Sequence, residues 1–308
     1  MAKYKLPKIE ELLDAGAHYG HQTKRWNPKM EPYIYTVKKN IHIIDLEKTE
    51  QLLKDACEFL YQQASEGKQI VFVGTKKQAH EVIEAEAKRS GAFYVTERWI
   101  GGTITNFRVI KRNIDKLLNY LRQKENGELE KYTKKERLLI DREIIKLQRN
   151  IGGIVGLKSN PDVLFIVDSK RERTSVREAK SAGVPVVALI DTNCDPTDIK
   201  HVIPANDDAI KSIAVIMKSI GDAIEEGYVD FAKNKEKVAA DKAKAAAPVE
   251  EVVIKTDIAE ITPLADAAII AETLPAEPVA VVEPVKVEKA AEPEKKAKKS
   301  PKIKKETK

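Results

Sequence analysis

Four stretches of this sequence carry side chains that could do chemistry. The first is AHYGHQTKRWNPKM (17–30). His18 and His21 could ligate a metal there, with remote Asp191 or Asp195 completing the site, although no second ligand pair accompanies them. Read without a metal, the stretch is a Gly/Pro/Asn-rich loop carrying Lys24, Arg25 and Lys29 around Trp26. Basic residues interleaved with an aromatic suit single-stranded or looped RNA, because the ring stacks on a base and the guanidinium pairs with phosphate. Trp26 as a core anchor is an equal reading. The second stretch, VFVGTKKQA (71–79), runs strand, Gly74, Thr75, Lys76 and then a helix start, where free N–H groups can hold phosphate. It has one glycine and lacks both GxxxxGK[ST] and GxGxxG, so a nucleotide cradle is not expected. Gly74 then serves the strand-to-helix passage, with Lys76 and Lys77 facing solvent or a backbone phosphate.

The third stretch, FIVDSKRERTSVREA (165–179), puts Asp168 at the carboxyl end of a strand, the usual site position in open α/β sheets. The acid could hold a sugar hydroxyl or cap the following helix. Capping is favoured, with Lys170, Arg171 and Arg173 as phosphate contacts. DTNCDP (191–196), further on, offers two acids and Cys194 but no neighbouring histidine, which makes a poor nucleophile site. The fourth stretch is RWIGGTITNF (98–107). Gly101 and Gly102 permit close backbone approach, and Thr103, Thr105 and Asn106 can cap a helix that follows. Arg98 and Arg108 flank it. The stretch reads as a tight corner, as a surface of N–H and hydroxyl groups for sugar and phosphate, or as both.

Strands and helices must position these loops. IVFVG (70–74), FYV (93–95), VLFIVD (163–168) and VPVVALID (184–191) are apolar runs of strand length. Helical stripes lie between them and end at Gly91 and Gly183. Ile210, Ile213, Ala214, Met217, Ile220 and Ile224 mark a long amphipathic helix. Alternation of this kind implies a parallel sheet covered on both faces, a doubly wound α/β domain. One insertion breaks the alternation. Ile110, Ile114, Leu117 and Leu121 share their spacing with Ile140, Ile144, Leu147 and Ile151, across a polar turn holding Asn126-Gly127. The spacing predicts an antiparallel coiled-coil hairpin over 107–150 that projects from the body. It carries 13 Lys/Arg and 7 Asp/Glu, so its net +6 equals the net charge of the whole 308-residue chain. Lys111 and Arg112, beside Arg108, sit at its root.

The body is expected to span 1–231. Beyond Phe231, the last aromatic, the chain is Ala, Lys, Glu, Pro and Val and holds half of the 14 prolines, so 232–308 is expected to be a disordered tail. Two distant cysteines, Cys57 and Cys194, give no disulfide framework and fit a reducing compartment. There is no apolar signal core and no apolar run near the roughly 20 residues that span a bilayer, so a soluble, cytoplasmic protein is expected, with no membrane partner.

Six of these stretches, in order, resemble the bacterial S-two family of small-subunit ribosomal proteins: AHYGHQTKRWNPKM, NIHIIDLEKT, VGTKKQA, RWIGGTITNF, PDVLFIVD and GVPVVALIDTNCDP. His18, Gly20, His21, Arg25, Trp26, Asn27 and Lys29 match the family's N-terminal signature. Trp99, Gly101, Gly102, Thr103 and Asn106 match its central one, and Pro161, Asp162, Asp168 and Pro185 its later one. The resemblance covers about residues 5–230. It implies a flavodoxin-like three-layer α/β/α body with a protruding coiled coil, and no enzyme. The implied partners are small-subunit ribosomal RNA and neighbouring small-subunit proteins, including the large S-one protein. No cofactor, bound metal or small-molecule substrate is expected. The chain departs from the family's common pattern after about residue 231.

Overall fold

The computed structural model describes residues 4–245. The continuous apolar runs form a five-stranded sheet of β4 (Ile70–Val73), β5 (Phe93–Val95), β6 (Val163–Val167), β7 (Val186–Ile190) and β8 (His201–Pro204). Every neighbouring pair is parallel, and the spatial order is β5-β4-β6-β7-β8. Counted from β4 in chain order this is 2-1-3-4-5, the flavodoxin-like winding. All residues of β4, β6 and β7 are buried, as strands with helices over both faces must be.

Alternate residues of these strands feed two cores. Ile70, Phe72, Val163, Phe165, Val167, Val187 and Leu189 pack under α2 (Leu46–Ser65), α3 (His80–Ser90) and α7 (Ile210–Ala245). Phe72 and Phe165 meet edge to face with ring centroids 5.6 Å apart. Val71, Val73, Leu164, Ile166, Ala188 and Ile190 face the other way, towards α6 (Arg173–Ala182), Trp99 and Ile104. The expected ends hold: Gly91 closes α3 at φ +75° and Gly183 closes α6 at φ +70°.

The insertion is a pair of helices, α4 (Phe107–Glu125) and α5 (Lys134–Ile151). Lys116 meets Glu143 and Lys124 meets Asp141, so the helices run antiparallel. A capping box of Thr133 and Glu136 starts α5. The expected stripe is the one that turns inward: Ile110, Ile114, Leu117, Ile144 and Ile151 are buried, and Leu121, Ile140 and Leu147 are half-buried beside them. Their cluster is continuous with the second sheet core, so the base of the hairpin is part of the body.

Besides β8, three strands outside the large sheet carried no clear signal. β1 (Tyr19–Gln22), β2 (Ile34–Lys38) and β3 (Ile41–Ile44) form a small antiparallel sheet in the order β1-β3-β2. Part of the stretch read as a loop over 17–30 is therefore strand. β2 and β3 join through Lys39 and Asn40, both at positive φ, a two-residue turn whose twist suits a hairpin. α7 runs on to Ala245, past residue 231, because its continuation is rich in the helix formers Ala, Lys and Glu. The rest of the expected tail, 246–308, lies outside the described residues. Within 4–245 no helix is long and apolar enough to cross a membrane.

The turn after α5 packs backbone to backbone on β5. A Cβ added at Gly153 would lie 2.2 Å from the Tyr94 carbonyl oxygen, whereas one at Gly152 meets nothing within 4 Å. Gly153→Ala is expected to lower stability by about 2–3 kcal/mol, and Gly152→Ala to change it by less than about 0.5 kcal/mol. Urea unfolding midpoints of the two variants check the contrast.

Candidate nucleic-acid interface

The chemistry-bearing stretches come together at the carboxyl ends of the parallel strands, and buried carboxylates shape them. RWIGGTITNF wraps around Glu178 of α6. Glu178 Oε1 accepts from Trp99 Nε1 at 3.2 Å and from the Gly102 N–H at 2.8 Å. Its Oε2 accepts from the Ile104 N–H at 3.1 Å. Gly102 sits at φ +90°, a left-handed conformation that favours glycine. Thr103 is buried and its hydroxyl donates to the Ile100 carbonyl, so it neither caps α4 nor faces a ligand. Asn106 is the N-cap residue of α4 but makes no side-chain cap bond. The stretch is a corner held by one carboxylate.

A second carboxylate fills the crevice where strand order reverses, between β4 and β6. Glu172 Oε1 accepts from the Thr75 N–H at 3.1 Å and from the Thr75 hydroxyl. A phosphate would need that N–H, so the loop after β4 already holds its anion. Burial raises the Glu172 pKa, against the opposing pull of Thr75. Arg171 Nε donates to the Thr75 hydroxyl from the same side. Asp168 does cap the turn ahead of α6, accepting from the Lys170 and Arg171 N–H groups at 3.1 Å each.

Lys76 does not face solvent or a phosphate. It is buried, with Nζ 2.7 Å from Asp207 Oδ1 and 2.6 Å from Asp208 Oδ1. Burial works to discharge it, but the two carboxylates outweigh burial and raise its pKa. His21 Nδ1 lies 2.9 Å from Asp191 Oδ2, and this bond raises the histidine's pKa. Ligand atoms of His21, Asp191, Asp207 and Asp208 all lie within 4.8 Å of one another, and so do those of Asp168, Cys194 and Asp207. These are the groups that could hold a metal. His18 is not among them and packs its ring on Tyr19. Asp195 is turned away too. Thr197 and then Lys29 hold its pKa down to about 2, with Lys29 Nζ at 3.0 Å.

The remaining nominated cations form the outer surface. Lys24, Arg25, Lys77, Arg98, Arg108, Lys111, Arg112, Lys170, Arg171 and Arg173 are exposed. Trp26 is half-buried and packs on His42, with ring centroids 4.9 Å apart. Lys170 and Arg173 line a groove of about 650 Å³ with Arg177, Asn27 and Asn193. The N-terminal stretch and the turn after β6 therefore share one groove. Arg98 lines a second, of about 420 Å³, with Arg142, Lys146 and Arg149 of α5. These three α5 residues and Arg177 escaped sequence reasoning. Their signal was present, since Arg142, Lys146 and Arg149 lie at i, i+4 and i+7 on one helix face.

The sequence profile of the family "Ribosomal protein S2" matches residues 12–227. This chain belongs to that family. Family members named "Small ribosomal subunit protein uS2" are similar across 219 residues, 71% of this chain. The one from Petrotoga mobilis is 51% identical, with 76% of its own length covered. That from Geotalea uraniireducens is 50% identical with 86% covered, and that from Dictyoglomus thermophilum 53% with 89%. These relatives are named as proteins of the small ribosomal subunit.

In this S2-family chain, removing the carboxylate of Glu178 strands three N–H donors, and the Thr105 hydroxyl, a longer fourth contact at 3.5 Å, loses its acceptor too. Glu178→Ala is expected to cost about 3–5 kcal/mol, because each buried unpaired N–H costs roughly 1–3 kcal/mol. Urea unfolding measures the loss. In a Trp26→Phe background, Trp99 emission should shift to the red as the corner opens. An unshifted spectrum with unchanged stability would show that Glu178 does not hold the corner.

Proposed function

We propose that this chain is a structural constituent of the small ribosomal subunit, working in the cytoplasm, where it binds small-subunit ribosomal RNA by neutralising phosphates. The observation that carries this is the segregation of charge. Acids are buried under the loops, while cations from the N-terminal stretch, the turn after β6 and the root of α4 stand exposed. Among the described residues, Arg108, Lys111 and Arg112 enter no ion pair within the chain, so their charge is available to a partner. Guanidinium, ammonium and amide groups that suit phosphate and sugar outnumber the acids in both grooves, which are Asp195 and Asp198 in the first and Glu97 in the second. The names of the relatives supply the ribosomal setting.

Neighbouring small-subunit proteins, the large S-one protein among them, are the further partners of this reading. Edge strand β2 supports a protein contact, since Tyr35 and Val37 are exposed on it. The helical pair 107–150 projects as a coiled coil and supplies the basic arm, and the segment beyond 231 is separable from RNA binding.

Replacing Arg108, Lys111 and Arg112 together with Glu is expected to weaken binding to small-subunit ribosomal RNA and to reduce the slope of log affinity against log salt by up to about 3. Circular dichroism should remain that of the native chain, because all three are exposed. Filter binding over a salt series measures the slope, and an unchanged slope removes the hairpin root from the interface. In a sucrose gradient of cell extract the chain should travel with small subunits and leave them as salt rises. A chain that stays at the top at low salt contradicts the ribosomal reading.

A further inference from the structure

The buried end of the groove wall has more negative charge than its own cations balance. Asp191, Asp207 and Asp168 are buried, and Asp208 stands beside them. Lys76 and His21 are the cations that contact this group. Asp207 is the centre of the imbalance. It is fully buried, its Oδ1 accepts from Lys76, and its Oδ2 has no hydrogen-bond partner at all. Its carboxylate belongs to both potential ligand groups, the one with His21, Asp191 and Asp208 and the one with Asp168 and Cys194. An unpaired carboxylate oxygen with no access to water costs several kcal/mol by the usual desolvation argument, unless a proton or a cation meets it.

We propose that His21, Asp191, Asp207 and Asp208 bind a divalent transition-metal ion of the zinc or manganese class. One imidazole and three carboxylates are hard-to-borderline donors, which suits these ions better than an all-oxygen magnesium site. The donors come from three separate elements: His21 from β1, Asp191 from the loop after β7, and Asp207 and Asp208 from the turn between β8 and α7. The ion ties the small antiparallel sheet to the carboxyl edge of the large one, and its role is structural. The second shell is already built. The Thr192 hydroxyl accepts from the His21 backbone N–H at 2.9 Å, Asn193 Nδ2 lies 3.1 Å from the ring Nε2, and the Thr192 N–H and hydroxyl both donate to Asp191 Oδ1. The alternative occupant of the free oxygen is a proton. Burial, then the charges of Asp168 and Asp191, push the Asp207 pKa well above the carboxylate range.

The two occupants separate in one experiment on the full chain, stripped with chelator and titrated with Mn²⁺ by electron paramagnetic resonance and with Zn²⁺ by calorimetry. The expected result is one saturable equivalent, a raised unfolding temperature on loading, and an affinity lower by ~100-fold in Asp207→Asn. Stripped Asp207→Asn should be less stable than the stripped parent, since buried Lys76 loses the charge of its 2.7 Å partner, so affinity is compared only among variants whose circular dichroism is native. If Asp207→Asn fails to fold, His21→Ala carries the same test, with the same fall in affinity. Absence of a saturable site overturns the proposal in favour of the proton. Binding undiminished in the readable variant overturns it too, because the ion then sits elsewhere.

Discussion

Carboxylates buried against backbone N–H groups are the interaction on which this surface depends. A parallel sheet ends in loops whose N–H groups have no strand partner, and burial makes each unmet donor expensive. α6 and the turn before it meet that need twice. Glu172 takes the Thr75 N–H after β4, and Glu178 takes Gly102 and Ile104 in the corner before α4. Glu172 is the N-cap residue of α6 and Glu178 lies within it, so placing α6 places both loops. With the loops placed, the arginines and lysines beside them acquire fixed positions along the grooves.

This arrangement also alters what the net charge means. The chain's +6 counts every acid equally. Asp168, Glu172, Glu178, Asp191 and Asp207 are all buried, whereas Lys76 alone among the lysines and arginines of the described residues is buried. Their charge still counts in the far field, but these five acids lie out of a partner's reach, whereas nearly all the described lysines and arginines do not. The buried acids serve the fold, and the surface cations that meet an acid meet exposed ones, as Lys29 does at Asp195 and Arg149 at Glu97.

Much of the fold was legible because burial on both faces writes itself as an unbroken apolar run. β4, β6 and β7 are such runs, the half-buried edge strand β5 is a shorter apolar one, and the inward stripe of α4 and α5 was legible at helical spacing. β8 was not, since HVIP begins half-buried at His201 and ends in proline. β1 to β3 were not, since a small sheet with one solvated side shows exposed and half-buried residues in a sequence of mixed polarity. At the site, residue type separated cations from acids but could not say which were free. Lys76 and Lys77 are adjacent and identical in type, yet one is locked to Asp207 and the other exposed. The partner of Lys76 lies 131 positions away, and that of Thr75 lies 97 away. Local pattern carries no information across such separations. Glu178 escaped for the same reason: in REAKSAG it reads as the solvated face of a helix.

The same long-range contacts occupy the place where this fold elsewhere hosts nucleotides. In doubly wound sheets a ligand occupies the crevice where strand order reverses, held by free N–H groups after the first strand. Here that crevice is closed from inside. Glu172 sits on Thr75, Arg171 reaches across to the Thr75 hydroxyl, and Lys76 is drawn away into Asp207 and Asp208. A phosphate arriving there would have to displace a carboxylate already bonded to the N–H it needs. The free cations stand instead on the basic rims beside the crevice, and if the chain binds RNA as proposed, an open rim of this kind can follow a backbone of phosphates where a closed crevice could not.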